Sequence, residues 1–299
     1  MTSIRDDVLR LGEFSVRVRV TGEGPPLLLL NGVGAPLELW RPLLRRLDGV
    51  RAIAVDLPGS GDSEAPRLPL TVGGYARLAV ELLDALDCAR ASVLGFSFGG
   101  MVAQELARLA GPRLDRLVLA STSCGWGGVP GDPTALLSLS TPDRYYSRVL
   151  YDAVVDGVPV EVAPATASPP DFAAAAATER GVRGPAGGGP WTRLPAPAEV
   201  RRGRLFQFWA AATWSSAWWL HEVRVPTLVV TGDRDRVVPP VNARLLATLL
   251  PHARLHVVRD GGHLCLMERA AQVAPVVRDF LVEPAGWDPV ARVAGSPAG

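Results

Sequence analysis

The chain has 299 residues, with 31 basic and 30 acidic side chains and a formal net charge of +1; every basic residue apart from histidine is arginine. That balance argues against a nucleic-acid or polybasic membrane partner, and the length suits one large α/β domain with an insertion. No run is long and apolar enough for a transmembrane segment, Met1 to Asp7 lack the apolar core of a signal peptide, and Cys88, Cys124 and Cys265 fit neither a metal site nor a disulfide framework. A cytoplasmic location with reduced thiols is therefore expected.

Phe14 to Val20 alternates apolar and polar residues and reads as a half-exposed edge strand. Leu27 to Leu30 is a solid apolar run, as for a strand buried on both faces. It ends in Asn31-Gly32-Val33-Gly34, a loop whose backbone N–H groups can face a ligand. A helical pattern follows from Leu39 to Leu47, then a buried strand from Arg51 to Val55 and the polar loop Asp56 to Ser63. Thr71 is placed to cap a long helix running to about Leu86. Ala91 to Leu94 is the central strand. Helix continues from Met101 to Ala110, and Leu114 to Ala120 is the next strand. Strands alternating with helices imply a parallel, doubly wound sheet.

Beyond Ser121 this rhythm stops. Helical pieces over Thr134–Val155 and Arg204–Leu220 flank a Pro-, Ala- and Gly-rich segment from Pro164 to Pro197. The insertion as a whole reads as a cap over the site, with this segment as a flexible loop inside it. Trp191, Trp209, Trp214, Trp218 and Trp219 fall in this region, as ordinary packing, an acyl pocket, or a face for a hydrophobic surface. Alternation returns with strands over Pro226–Thr231 and Arg254–Val258 and a closing helix over Ala271–Leu281. The expected division is core 1–122, helical cap 123–220, core 221–283 and a disordered tail 284–299.

The chemistry centres on Gly95-Phe96-Ser97-Phe98-Gly99, set between an apolar run and a helical pattern. This is the pattern of a nucleophile elbow, a strand-to-helix turn that lifts one serine above the sheet. The Phe98 N–H then lies at a helix N-terminus, where partial positive charge suits an oxyanion, and Val33 is the candidate for the second donor. A serine hydroxyl needs a base to attack at neutral pH. Of the four histidines, His221 sits at the cap exit, His252 in a helix-to-strand turn and His256 inside a strand. His263 alone occupies a loop after a late strand, behind two glycines, and is the candidate base. The base needs a carboxylate to hold its tautomer. Asp233 and Asp235 both follow the strand ending at Thr231; the second projects further over the sheet edge and is favoured. Asp260 is too local to orient the ring. No metal-ligand spacing is present, and neither metal nor organic cofactor is expected.

The order Ser97, Asp235, His263 is that of the α/β-hydrolase fold, which the chain resembles over nearly its whole length. More narrowly, it resembles the intracellular medium-chain-length poly(3-hydroxyalkanoate) depolymerases. The residues that carry this are Leu30-Asn31-Gly32-Val33-Gly34-Ala35, Gln207, Trp214-Ser215-Ser216, Trp218-Trp219-Leu220, Asn242 and Gly262-His263-Leu264. The resemblance implies a mostly parallel sheet with a helical cap inserted after the sixth strand, and Ser97, Asp235 and His263 as catalytic residues. It implies a granule-bound polyester of 3-hydroxy acids as substrate, hence a hydrophobic ester and possible association with a polyester granule. Asn31, Gly32, Trp214 and Trp218 are the expected substrate contacts. Phe98 stands where that family suggests tryptophan, and 156–201 departs from its pattern. A small-molecule esterase, lactonase or thioesterase, and a non-catalytic granule protein, are the competing expectations.

Overall fold

The computed structural model describes residues 4–138 and 197–283. The Pro- and Gly-rich stretch of the expected cap, Trp191, most of the helix expected over Thr134–Val155 and the expected tail lie outside these residues. The described strands are β1 (Ile4–Leu11), β2 (Phe14–Thr21), β3 (Pro26–Leu30), β4 (Arg51–Val55), β5 (Ala91–Phe96), β6 (Leu114–Ala120), β7 (Thr227–Gly232) and β8 (Ala253–Val258). They form one sheet in the order β1-β2-β4-β3-β5-β6-β7-β8. From β4 through β8 every neighbouring pair is parallel, whereas β2 pairs antiparallel with both β1 and β4.

The strand expected at the edge is therefore second from it. Residues Ile4–Leu11 pair with the whole of β2, through a two-residue Gly12-Glu13 turn in which Gly12 has φ 53°. β1 is hidden in the sequence because its apolar positions are few and its acids do other work. Asp6, for example, pairs with Arg19 across the hairpin at 2.6 Å.

The buried strands are apolar on both faces because helices cover both. Along β3, Leu28 and Leu30 enter one core layer and Leu27 and Leu29 the other, the period-two alternation of a strand. The first layer packs under α2 (Val72–Ala85) and α3 (Phe98–Ala110). The second packs under α1 (Arg41–Leu44), with later helices that return to the same face. The helix expected over Leu39–Leu47 is shortened to α1 and a preceding 3-10 turn, Leu37–Trp40. The Thr71 cap is present, its Oγ1 accepting the Gly74 N–H at 3.0 Å.

β6 and β7 are parallel neighbours, so the chain after Ala120 leaves the sheet and returns at Thr227, after the sixth strand. Two described helices lie in this inserted segment, α4 (Pro133–Ser138) and α5 (Pro197–Ala212). The helix expected over Arg204–Leu220 begins earlier and stops at Ala212, where the Thr213 N–H and hydroxyl both turn back to the Trp209 carbonyl. The remaining helices are α6 (Val241–Leu249), α7 (Cys265–Glu268) and α8 (Ala270–Val282).

Buried amide side chains pin the inserted segment to the core at both ends. Gln104 on α3 donates to the Ser123 carbonyl at 3.0 Å and accepts from Ser216 Oγ at 2.6 Å. Asn242 on α6 accepts the Val129 N–H and donates to the Val129 carbonyl, both at 2.8 Å.

Candidate active site

The C-terminal ends of β3, β5, β7 and β8 bring four loops to one side of the sheet. β5 runs into α3 through Ser97, which has φ 53° and ψ −117°, a strained backbone for a residue with a side chain. Its N–H donates to the Ala120 carbonyl at 2.9 Å and its carbonyl accepts from Thr122 Oγ1 at 2.7 Å, so the strain is held from both sides. The flanking glycines are steric requirements. A Cβ at Gly95 would strike the first turn of α3, and one at Gly99 would strike the Leu30 and Asn31 carbonyls. The first turn of α3 thus lies directly against the loop after β3.

Opposite Ser97, the loop after β8 presents His263. Its Nε2 is 3.1 Å from Ser97 Oγ and its Nδ1 is 2.9 Å from Asp235 Oδ2. Asp235 stands in the loop after β7, and its other oxygen, Oδ1, accepts the Val237 and Val238 N–H groups at 2.9 and 2.8 Å. Both ends of the carboxylate are therefore occupied, one fixing the loop and one facing the ring. The Asp235 and His263 side chains are 0% and 2% exposed, so this contact is shielded from water. Phe96 packs on the imidazole with ring centroids 5.1 Å apart. Asp233 is exposed and Asp260 pairs with Arg234, so neither competes for the ring.

The two residues expected to supply oxyanion donors lie in the loop after β3 and at the start of α3. Phe98 opens α3, where first-turn N–H groups have no acceptor within the helix. Val33 sits in a turn closed by the Ala35 N–H to the Gly32 carbonyl at 3.2 Å. An arrangement of hydroxyl, imidazole and carboxylate suits nucleophilic attack on a carbonyl carbon. Among the described residues no three or more His, Cys, Asp or Glu side chains are grouped to hold a metal ion. Cys265 lies near Ser121, but burial pushes its thiol up to about 11, away from a thiolate.

The family model described as alpha/beta hydrolase fold matches residues 25–270. The chain belongs to this family. As an α/β hydrolase it is 38% identical over 277 residues to a poly(3-hydroxyalkanoate) depolymerase of Ectopseudomonas oleovorans, covering 91% of each chain. It is 28% identical over 281 residues to a 2-hydroxymuconate semialdehyde hydrolase of Pseudomonas sp. strain CF600, covering 88% of this chain and 89% of that one. The crystal structure of the enol-lactonase from Burkholderia xenovorans LB400 matches with a TM-score of 0.68 at 25% identity, covering 93% of this α/β hydrolase and 100% of the lactonase.

The other residues expected to contact substrate have these partners in this α/β hydrolase. The Asn31 side chain is buried and donates to the Pro36 carbonyl at 2.7 Å, bracing its own loop. Gly32 contributes the turn acceptor already described. Trp214 donates its indole N–H to Glu105 Oε2 at 3.0 Å, two turns along α3 from the elbow, and packs edge-on against Trp219. Trp218 is 83% exposed. Among the described contacts neither indole touches Ser97 or His263. Sequence reasoning gave no structural role to the buried Gln207, Asn242 and Asp56. Their signal was present: polar residues amid apolar or glycine-rich stretches that must pair once buried.

Proposed function

We propose that this α/β hydrolase is a serine ester hydrolase acting on hydrophobic 3-hydroxyacyl esters, in the manner of a poly(3-hydroxyalkanoate) depolymerase. The observation that carries the chemistry is the unbroken series from Ser97 Oγ through His263 to Asp235, at 3.1 and 2.9 Å, on a strained strand-to-helix turn. Ser97 Oγ attacks the ester carbonyl while His263 Nε2 takes its proton. Asp235 holds the Nδ1 proton and stabilises the imidazolium. The Val33 and Phe98 N–H groups receive the negative oxygen of the tetrahedral intermediate. His263 then protonates the leaving alcohol, and water repeats the cycle on the acyl-enzyme.

The substrate class is supported by the 38% identity to the depolymerase over 91% of both chains. A polyester granule would present such esters at a surface, and a cytoplasmic location is part of this proposal. Among the described residues no helix is long and apolar enough to cross a membrane. The likeness to an enol-lactonase favours a second substrate, a small ester or lactone.

The test is acid release from emulsified medium-chain poly(3-hydroxyalkanoate) beside p-nitrophenyl octanoate, with wild type and Ser97→Ala. Hydrolysis of the polymer by wild type, falling by about 10⁴-fold or more in the variant, is expected. Activity on the small ester alone selects the second substrate. Polymer hydrolysis that survives in Ser97→Ala would sink the nucleophile assignment.

A further inference from the structure

The loop that carries Asp235 is backed by the start of the inserted segment. Val129 meets Asn242, Gly131 meets Val237 and Asp132 meets Arg236, so residues 129–132 form a strap running opposite to the loop.

The strap touches two particular peptide groups. The first joins Arg236 to Val237. Its carbonyl accepts the Asp132 N–H at 2.8 Å, and its own N–H, on Val237, donates to Asp235 Oδ1 at 2.9 Å. The second joins Val237 to Val238. Its N–H donates to the same Oδ1 at 2.8 Å, and its carbonyl oxygen lies against Gly131. The C=O and N–H of a trans peptide share one plane and point opposite ways. A peptide held at its oxygen therefore cannot re-aim its N–H without losing that contact. With Oδ1 held by both N–H groups, the place of Oδ2 opposite His263 Nδ1 is set by the same two peptides.

The approach at Gly131 is steric. Its φ lies outside the positive range that reserves a position for glycine, so the backbone itself would accept a side chain. A Cβ there would instead collide with the Val237 carbonyl. Asp132 adds a second tie to Arg236, its Oδ2 accepting from the guanidinium at 2.8 Å. Its Oδ1 accepts the Thr134 and Ala135 N–H groups at 2.9 and 3.1 Å, fixing the strap to the start of α4. The Arg236 side chain is 70% exposed, so this ion pair contributes little alone and the main-chain contacts do most of the holding. The buried Asn242 amide anchors the other end at Val129.

We infer that Gly131 and Asp132 are positioning residues for Asp235, setting the approach of its Oδ2 to His263 through the two peptides that hold Oδ1. The inference rests on the serine-hydrolase function proposed above. It gives the start of the inserted segment a part in proton transfer at His263, separate from any contact with substrate.

The test compares wild type with Gly131→Ala, alone and combined with Asp235→Asn. Labelling of Ser97 by an alkyl fluorophosphonate first establishes the nucleophile in wild type. The readouts are kcat and KM on p-nitrophenyl octanoate. The added methyl displaces the Val237 carbonyl, so Gly131→Ala is expected to lower kcat about 10- to 100-fold, with KM changing less than about threefold. In the Asp235→Asn background the same substitution should change kcat less than about threefold, since the carboxylate it misplaces is already gone. A general loosening of the fold gives equal losses in the two backgrounds. Should Gly131→Ala not fold, Asn242→Ala, which frees the strap at Val129, is expected to lower kcat about 3- to 10-fold with the same dependence on Asp235. For the variant that folds, kcat near wild type, equal losses in the two backgrounds, or an effect on KM alone overturns the inference. Wild type that is not labelled at Ser97 overturns the serine-hydrolase function, and the inference falls with it.

Discussion

Asp235 divides its two oxygens between two tasks, and the division is testable. Oδ1 holds the loop through Val237 and Val238, whereas Oδ2 faces His263 Nδ1. An asparagine can keep the loop contacts with its carbonyl and turn its NH₂ toward the imidazole. That selects the wrong tautomer, so Asp235→Asn is expected to lower kcat by about 10⁴-fold, as a triad acid replaced by its amide does elsewhere. Its melting temperature should stay near that of wild type, and exposed Asp233→Asn should leave kcat unchanged. Equal losses in the two variants would remove Asp235 from its proposed role. At this scale the sequence was informative where spacing alone constrains chemistry. Ser97, Asp235 and His263 each follow their own buried strand, and the structure brings those strand ends together. It did not disclose the partners of Asn31 and Trp214, because a residue type states what a side chain can do and not which neighbour the fold supplies. Asn31 found the Pro36 carbonyl in its own loop.

Elements were legible in proportion to how local their causes are. The apolar runs of β3, β5 and β7, the Thr71 cap and the elbow declare themselves within a few residues. β1 did not, since its stability comes from pairing with β2 and from charges such as Asp6 with Arg19. The return of the inserted segment, residues 213–219, was also opaque, because its contacts are with α3 and with residues 124–126, remote in sequence. Trp214 shows the consequence. Its indole N–H meets the buried carboxylate of Glu105, which also pairs with Arg108. Trp214→Phe keeps most of the apolar contact and leaves that oxygen short of a donor, so a loss of about 1–3 kcal/mol in stability is expected by urea denaturation. KM for p-nitrophenyl octanoate should not move. A raised KM at unchanged stability would make Trp214 a substrate contact instead.

Across the whole molecule, a charge cluster joins the outer sheet to the loops beside the site. Arg17 on β2 contacts Asp62 and Glu38 at 2.9 Å each, and Asp56 at 3.7 Å. Arg19 reaches Asp6 and Glu38, so the described pairs set four carboxyl groups against two guanidinium groups. Asp56 is the most deeply buried of the four, and Oδ1 accepts the Leu37 N–H at 2.6 Å, beyond the Val33 turn. Burial above all, then the negative charge of Glu38, pushes its carboxyl up to about 8 against the pull of Arg17. Below the ordinary value of 3.8, folded and unfolded chains both hold this proton. Between 3.8 and about 8 the unfolded chain gives it up while the fold retains it, so this contribution to stability falls as pH rises through that window. Urea denaturation at pH 5 and pH 8.5 should show wild type losing more stability than Asp56→Asn, which has no proton to lose. Parallel pH dependences in the two proteins would place the retained proton elsewhere.

The hydroxyl and imidazole that meet at 3.1 Å are 166 residues apart in the chain. On a ribosome adding about 5–20 residues per second, roughly ten to thirty seconds separate their synthesis. During that interval the nascent polypeptide carries a serine without its base, and the strand that delivers His263 has not been made. On the function proposed above, activity would arrive late and all at once, and chains that end before His263 would lack the proposed base.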